Sequence, residues 1–207
     1  MTTGEVVQFG WGMNCNSGMA FLCEICYSLD TGCREFSTFE DFMAIITHPF
    51  KPIIYKDSQV LILGTFPSPK SRETHFYYGH PQNCFWRVLA EVFDDPSPLN
   101  DVDSKTDFLK KHNIALWDVL HSCEISGSSD SSIKNPVANK FRPLLAGSSI
   151  KAIFTNGKKA TALFTRLCET EAGVKAHYLP STSPANRARY SETELLKRWS
   201  VIRELII

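Results

Sequence analysis

The sequence lacks several features that would place it in common classes of protein. No apolar run approaches the roughly 20 residues that a membrane-spanning helix needs, and the first residues lack the basic-then-apolar pattern of a secretory signal. Lysine plus arginine and aspartate plus glutamate number 22 each, so the net charge is zero. A polyanionic partner would therefore have to bind a local basic surface. We expect no membrane association and a cytoplasmic or nuclear location, with a bacterial-type cytoplasm as the first expectation.

Several well-known catalytic motifs are also missing. The chain contains no G-x-S-x-G, no H-E-x-x-H and no deaminase pattern of H-x-E with P-C-x-x-C. Gly157-Lys158-Lys159 lacks the glycine spacing of a phosphate-binding loop. These absences argue against a serine hydrolase of the nucleophile-elbow type, a zinc protease, a zinc deaminase and a P-loop nucleotide site.

The cysteines are odd in number, seven in all, which argues for reduced thiols. Four crowd near the start with C-x7-C-x2-C-x6-C spacing: Cys15, Cys23, Cys26 and Cys33. Four thiolates suffice for a tetrahedral Zn²⁺ site, but this spacing fits no zinc ribbon or finger, and packed or solvated free cysteines are the alternative. Residues 1–36 show no sustained periodicity, so we interpret them as an N-terminal extension and residues 37–207 as the functional domain.

From Ser37 onwards short apolar runs alternate with helical patterns. Ser37 and Glu40 predict a capping box that opens a helix reaching Ile46. Apolar runs predict four buried strands, at 59–64, 113–120, 150–157 and 176–180. Helical patterns fall at 83–95, at 103–113 with Ser104 as the cap, at 138–147, 158–169 and 191–206, and 126–136 reads as a polar loop. The alternation predicts an α/β fold with a parallel four-stranded sheet covered on both faces.

In such a sheet, ligands bind beyond the carboxyl ends of the strands. The loops that leave the predicted strand ends span 65–81, 118–133, 156–159 and 181–190. The loop after the first strand is unusually aromatic, and Phe76, Tyr77 or Tyr78 could stack on a flat ligand while His80 and Asn83 supply hydrogen bonds. A long ordered connection that merely covers the sheet edge is the alternative.

The loop after the last strand is rich in hydroxyl groups. Ser181, Thr182 and Ser183 precede Asn186, and two arginines follow, Arg187 and Arg189. Small hydroxyl residues at a strand end allow close approach to phosphate oxygens. An N-cap and turn that lead into the final helix would explain the same residues.

Taken together, the two loops resemble the uracil-DNA glycosylase superfamily, and within it the hypoxanthine-DNA (deoxyinosine) glycosylase branch. "LILGTFPSPKSRETHFYYGHPQNCFW" is similar to the first motif of that branch and "STSPAN" to the second. The resemblance covers the chain from about His48 to the C-terminus. It implies a three-layer α/β/α sandwich around a parallel four-stranded sheet, and a monofunctional, monomeric base-excision enzyme that uses no cofactor and acts on DNA containing deaminated bases.

The departures from the superfamily pattern concern the catalytic groups. Other branches keep Asp or Asn two residues after the motif glycine, whereas this chain has Phe66, which cannot orient water. The resemblance implies Asn83 as the substitute. Ser181 replaces the histidine that opens the second motif in several relatives, and Ala185 replaces their wedge leucine, so Arg187 or Arg189 could fill the vacated stack.

The resemblance also implies a base-binding set and a DNA-contacting set. Asp118 falls where relatives place a base-reading asparagine, and its carboxylate could accept the N1–H of hypoxanthine; a carboxylate that caps the next loop is the alternative. The base-binding set is Gly64, Thr65, Phe66, Tyr78, His80, Asp118 and Ser181. The DNA-contacting set is Ser68, Ser71, Ser183, Ala185, Asn186, Arg187 and Arg189. We interpret His48 as structural.

Two other functions fit the same residues. One is a glycosylase of the same fold that acts mainly on uracil in mismatches. The other is a catalytically silent DNA-binding module, which Phe66 favours because it stands where relatives keep an acid or an amide.

Overall fold

A computed structural model describes residues 45–126, 129–186 and 189–206, which lie in one compact unit, Asp41–Ile207. Cys15, Cys23, Cys26, Cys33, Ser37 and Arg187 fall outside the described residues. The zinc hypothesis, the division at residue 36 and the roles suggested for Arg187 therefore stay predictions.

The described residues form strands and helices that alternate along most of the chain. Every helix in these ranges is too short or too polar to span a membrane. The strands are β1 (Ile45–Thr47), β2 (Val60–Gly64), β3 (Ile114–Asp118), β4 (Leu120–Glu124), β5 (Lys134–Ala138), β6 (Ala152–Asn156) and β7 (Ala176–Leu179). The α-helices are α1 (Pro69–Glu73), α2 (Phe85–Phe93), α3 (Val102–Lys111), α4 (Arg142–Ala146), α5 (Lys158–Leu167), α6 (Glu169–Ala172), α7 (Glu192–Trp199) and α8 (Val201–Glu204).

A four-stranded parallel sheet with the strand order β3-β2-β6-β7 forms the centre of the fold. β2 is buried along its whole length, as its unbroken apolar sequence predicts. Its register places Gly64 opposite Asp118 of β3, so the carboxyl ends of these neighbouring strands are level. The predicted sheet and its four strands are confirmed, with ends that differ by one or two residues.

Side chains alternate between the two faces of this sheet and build two hydrophobic cores. Val60 and Ile62 point to the face covered by α2, α3 and α7, where Trp199 is fully buried and donates from Nε1 to the Pro180 carbonyl at 3.0 Å. Leu61 and Leu63 point to the opposite face, where α5 packs. The fold is therefore the three-layer α/β/α sandwich that the sequence predicts.

A second, antiparallel sheet with the order β1-β4-β5 was not predicted. The expected strand at 113–120 is two strands. After Asp118 the Val119 and Leu120 amides donate to the Gly64 and Thr65 carbonyls, and the chain then pairs with β1 and β5.

The bounds of three other predicted elements also differ from the structure. The predicted helix reaching Ile46 is wrong at that end, where β1 lies. The short helix at 138–147 begins only at Arg142, and the polar loop at 126–136 contains the start of β5. β5 is largely exposed, so its polar sequence is indistinguishable from that of a loop.

The capping residue of α3 also differs from the prediction. Asp101 caps the helix and accepts a hydrogen bond from the Ser104 amide at 2.7 Å, so Ser104 lies inside the first turn. Both residues are good caps, and sequence alone does not choose between two candidates three positions apart.

A carboxylate, Asp95, joins the end of α2 to the end of α3. It accepts hydrogen bonds from Lys111 Nζ at 2.8 Å, His112 Nε2 at 2.9 Å and the Ser97 amide at 3.0 Å. The Lys111 bond above all, then those from His112 and Ser97, holds the pKa of Asp95 well below its usual range. The ionised carboxylate is thus stabilised by folding.

We expect Asp95→Asn to lower the free energy of unfolding at pH 7 by about 1–3 kcal/mol, because charge-assisted hydrogen bonds are lost. Since folding lowers the pKa of Asp95, its contribution is complete above the unfolded value of about 3.9 and disappears as the pH falls further. Urea denaturation of both proteins at several pH values should show the difference shrinking on acidification. Asp94→Asn is the matched control, since Asp94 is exposed with φ 52°, a conformation that Asn tolerates. An equal loss for both variants would contradict this account.

Candidate functional site

A cavity of about 320 Å³ opens at the carboxyl ends of β2, β3 and β6, where the sheet topology favours a ligand site. The loops after β2 and β7 form two of its walls. The residues that line it are Gly64, Thr65, Phe66, Pro67, Ser68, Ser71, Tyr77, Tyr78, Asn83, Asp118, Ile125, Ser129, Asp130, Ser131, Asn156, Ser181, Thr182, Ser183, Ala185 and Asn186. The structure thus brings most of the predicted base-binding and DNA-contacting residues to one cavity.

The Asp118 carboxylate lies over Gly64, at the inner end of this cavity. A Cβ added at Gly64 would stand 2.2 Å from Asp118 Oδ1 and 3.2 Å from Tyr78 Oη, so only glycine leaves room for both groups. The other oxygen, Oδ2, lies 2.8 Å from His48 Nε2, and the two side chains are 5% and 2% exposed. Oδ1 is therefore the oxygen that remains for a ligand.

Tyr78 forms the aromatic wall beside Asp118. Its ring stacks on Phe85, with centroids 3.6 Å apart and planes inclined by 12°, and its backbone has φ 54°, which is unusual for a residue other than glycine. Burial, and next the nearby Asp118 carboxylate, raise the pKa of Tyr78 above its ordinary value, so the phenol stays protonated. Among the described residues the buried hydroxyl has no partner at regular hydrogen-bond geometry, although the Asn156 side chain lies near enough to lower its pKa slightly. A buried hydroxyl without a well-aligned partner suits a ligand atom.

Asn83 lies on the cavity wall just before α2. Its Oδ1 accepts a hydrogen bond from the Phe85 amide at 3.0 Å, which holds the side chain and fixes which end of the amide is oxygen. The side chain is partly exposed and lines the cavity. Its NH₂ group, and the second lone pair of its oxygen, are the polar functions that this contact leaves over.

Thr182 anchors the loop after β7 to the rest of the site. Its amide donates to Asn156 Oδ1 at 3.0 Å, and Asn156 Nδ2 donates to Thr182 Oγ1 at 2.9 Å. Its carbonyl accepts from the Cys84 amide at 3.2 Å. Thr182 is fully buried, so the hydroxyl-rich loop is fixed against both β6 and the start of α2.

A second carboxylate, Asp130, also lines the cavity. Thr65 Oγ1 donates to its Oδ2 at 3.1 Å. Although the residue as a whole is exposed, its carboxylate lines the cavity, and the loss of hydration there raises its pKa, against the opposing effects of the Thr65 hydrogen bond and Lys159. The cavity therefore contains a second carboxylate besides Asp118.

Three residues proposed from the sequence do not line this cavity. His80 turns back on its own loop, where Nδ1 accepts from the Gln82 amide at 3.1 Å. Phe76 stacks on Trp86 with centroids 5.8 Å apart, so Tyr78 is the stacking candidate. Arg189 lines a neighbouring groove with Lys158, Lys159 and Tyr190.

Sequence reasoning missed His48 and Asn156. His48 was interpreted as structural, but it contacts Asp118 from 70 positions away. Asn156 is the last residue of β6 and holds the second loop. A polar residue at the carboxyl end of a buried strand was the available signal for Asn156. No local signal identifies His48, because its partner is set by the pairing of β1 with β4 and by the bridge between Ile53 and Leu116 of β3.

The fold and this cavity define the class: an α/β/α protein with a narrow aromatic and amide-lined pocket at the ends of a parallel sheet. The uracil DNA glycosylase superfamily model matches residues 52–205. A hypoxanthine DNA glycosylase of Methanosarcina barkeri is 34% identical over 139 residues, 67% of this chain and 87% of that protein. A hypoxanthine DNA glycosylase of Methanosarcina acetivorans is 33% identical over 149 residues, 72% of this chain and 92% of that protein.

A solved structure agrees with these sequence matches. The solution NMR structure of a candidate uracil DNA glycosylase from Methanosarcina acetivorans superposes with a TM-score of 0.67 and 31% identity, covering 78% of this chain and 99% of that one. The chain belongs to the uracil DNA glycosylase superfamily. The resemblance stated from the two loops is thereby confirmed.

We expect Gly64→Ala to push the Asp118 carboxylate away from His48 and lower the free energy of unfolding by about 1–3 kcal/mol, because the new methyl group overpacks the site. Urea denaturation at pH 7 measures the change. Gly147→Ala is the control, since a Cβ there would meet only the Pro143 carbonyl at 3.9 Å. The steric account fails if the two variants are equally stable.

Proposed function

We propose that this protein is a monofunctional DNA glycosylase that removes deaminated bases, hypoxanthine above all, from DNA at the start of base excision repair. The observation that carries the proposal is the carboxylate oxygen of Asp118 held over Gly64 at the inner end of an aromatic-walled cavity. Superfamily membership and the two hypoxanthine DNA glycosylases from Methanosarcina support it.

Base selection would depend on the hydrogen-bonding edge of the base. Hypoxanthine presents N1–H beside a carbonyl oxygen, and adenine presents an unprotonated N1 beside an amino group. Asp118 Oδ1 can accept N1–H and would repel the lone pair of adenine N1. The buried Tyr78 hydroxyl adds a donor near the same point above Gly64. Uracil also has an N–H between carbonyl groups, so it is the natural competitor.

Access to this edge requires the nucleotide to leave the helical stack. Flipping costs a few kcal/mol, less for a mispaired base, and this difference itself favours deaminated sites. Tyr78, supported from behind by Phe85, would provide the stacking surface. Ser68, Ser71, Ser183, Ala185 and Asn186 line the cavity and would contact the DNA strand around the flipped nucleotide. Arg189, in the groove beside the cavity, would hold a flanking phosphate.

Asn83 would supply the polar group that Phe66 cannot. Phe66 lines the cavity but is 9% exposed and packs in the core. Asn83 Oδ1 keeps a lone pair that can accept from the attacking water, and its NH₂ group can donate to the substrate. As water oxygen bonds to C1′, the C1′–N9 bond breaks and its electron pair leaves with the base; the proton that the water loses ends on the departing base.

A departing hypoxanthine anion needs less stabilisation from the protein than a departing adenine anion, because the hypoxanthine lactam spreads the negative charge. Fixed dipoles around the base, including the Ser181 hydroxyl, are suited to that task. The lining residues in the described part of the chain include no lysine. An imine with the opened sugar is therefore not expected, and the enzyme would leave an abasic site without cleaving the strand.

We expect purified protein to release the base from a labelled duplex containing deoxyinosine, seen as a strand break only after alkali treatment. Duplexes with deoxyuridine, deoxyxanthosine and undamaged adenine, compared under single-turnover conditions, rank the substrates. Faster release of uracil than of hypoxanthine would show that uracil is the preferred substrate and contradict the proposed one. Binding to the inosine duplex without base release would show a silent DNA-binding module.

We expect Asn83→Ser to lower the single-turnover rate on the inosine duplex by about 100-fold or more, in the range found when a positioned polar catalytic group is removed. Serine is chosen because its hydroxyl can still accept from the Phe85 amide, more weakly than asparagine, while it removes the side-chain amide. Thermal unfolding measures the structural loss, and Asn83→Ala gives the value without any side-chain acceptor. Full activity of Asn83→Ser would remove the catalytic role from this residue.

A further inference from the structure

The side chain that holds Asp118 comes from outside the cavity. His48 lies just after β1 and is absent from the cavity lining, yet its Nε2 is 2.8 Å from Asp118 Oδ2. Its side chain is 2% exposed, so water does not compete for this contact. An ionised carboxylate can only accept, so Nε2 carries the proton and donates it.

The ring of His48 is fixed on every side. Its Nδ1 lies 3.1 Å from the Phe50 amide and 2.9 Å from the Phe50 carbonyl oxygen, so it has a partner as acceptor or as donor. Phe50 and Phe66 both meet the ring edge-to-face, with centroids 5.6 Å and 5.8 Å away. The His48 amide donates to the His121 carbonyl at 2.7 Å. This side chain has one orientation, and that orientation points Nε2 at Asp118.

The contact divides the two oxygens of Asp118 between two tasks. Oδ2 is occupied by His48, and Oδ1 stands over Gly64 in the cavity. The other ionisable groups near the carboxylate are Tyr77, Tyr78 and Asp130. None of these three forms a hydrogen bond with Asp118: Tyr77 Oη donates to the Lys51 carbonyl, and Asp130 accepts from Thr65. Among the described residues, His48 is thus the side chain that orients the carboxylate.

We propose that His48 is a positioning residue that fixes Asp118 as a hydrogen-bond acceptor, so that the preference for bases with N–H at the recognised edge depends on a side chain that touches no base. The inference rests on the proposed function and deepens it. Without His48 the carboxylate could turn, and Oδ1 would no longer be held over Gly64. Its lone pair would then accept the N1–H of hypoxanthine less well and repel the lone pair of adenine N1 less, so adenine would be rejected less strongly.

The test uses two substitutions of His48 in the full chain. His48→Gln keeps an N–H donor of similar reach, and His48→Phe keeps an aromatic ring but removes the donor. We expect His48→Phe to lower kcat/KM on the inosine duplex by about 10- to 100-fold, as for a lost hydrogen bond to a charged group, and to reduce the ratio of inosine to adenine excision. We expect His48→Gln to restore most of both. A role in packing alone predicts the reverse ranking, because glutamine fits the aromatic cluster less well.

A double-variant comparison shows whether His48 acts through Asp118. If it does, His48→Phe added to Asp118→Asn costs little further activity on the inosine duplex. Losses that multiply, or an unchanged ratio of inosine to adenine excision in His48→Phe, would overturn the proposal. Thermal unfolding of all four proteins separates loss of fold from loss of positioning.

A measurement without substrate keeps this inference separate from the proposed function. In ¹⁵N-labelled protein, the His48 ring should show a protonated Nε2 whose signal shifts in Asp118→Asn. If the ring behaves so but no duplex loses a base, the proposed function is wrong and the contact stands. If no shift occurs, His48 does not hold Asp118, whatever the enzyme excises.

Discussion

The in-register pairing of β2 with β3 and β6 is the constraint on which the site depends. Gly64 is paired with Asp118 across β2 and β3, so the absence of a side chain on one strand makes room for the carboxylate of the next. Because the strands are parallel, all of their carboxyl ends open on the same edge, and the loops that leave them must meet there. A shift of the register by one residue would turn Asp118 to the other face of the sheet, and its carboxylate would no longer lie in the cavity.

The walls of the cavity are held by contacts between distant loops. Asn156 and Cys84 both bind Thr182, so the last strand's loop is tied to β6 and to the start of α2. On the other side, His48 binds Asp118 from the segment after β1. These contacts are buried and specific, which suits the proposed role of the pocket in holding a flat base without rearranging. Preorganised dipoles of this kind are a main means by which an enzyme stabilises developing charge.

How far the sequence predicts the site depends on how local each signal is. The aromatic loop from Thr65 to Trp86 and the serine-rich loop from Ser181 are local patterns, and both line or adjoin the cavity. Asn83 lies just before α2, and its side chain accepts from the Phe85 amide two residues on, as asparagine often does in a turn. His80 and Phe76, from the same aromatic loop, point elsewhere. Sequence places these residues in the right loop, but the direction of each side chain is set by packing against α2.

By itself the sequence determined the parallel sheet, the alternation of its strands with helices along the chain, and the loops in which the candidate site lies, because hydrophobic period and turn residues are properties of neighbouring positions. The small antiparallel sheet, the split of the strand at Val119 and the pairing of His48 with Asp118 were decided only by the tertiary structure. Each of these joins segments far apart in the chain. They are stabilised by contacts that exist only once the central sheet has formed, and no local sequence pattern predicts them.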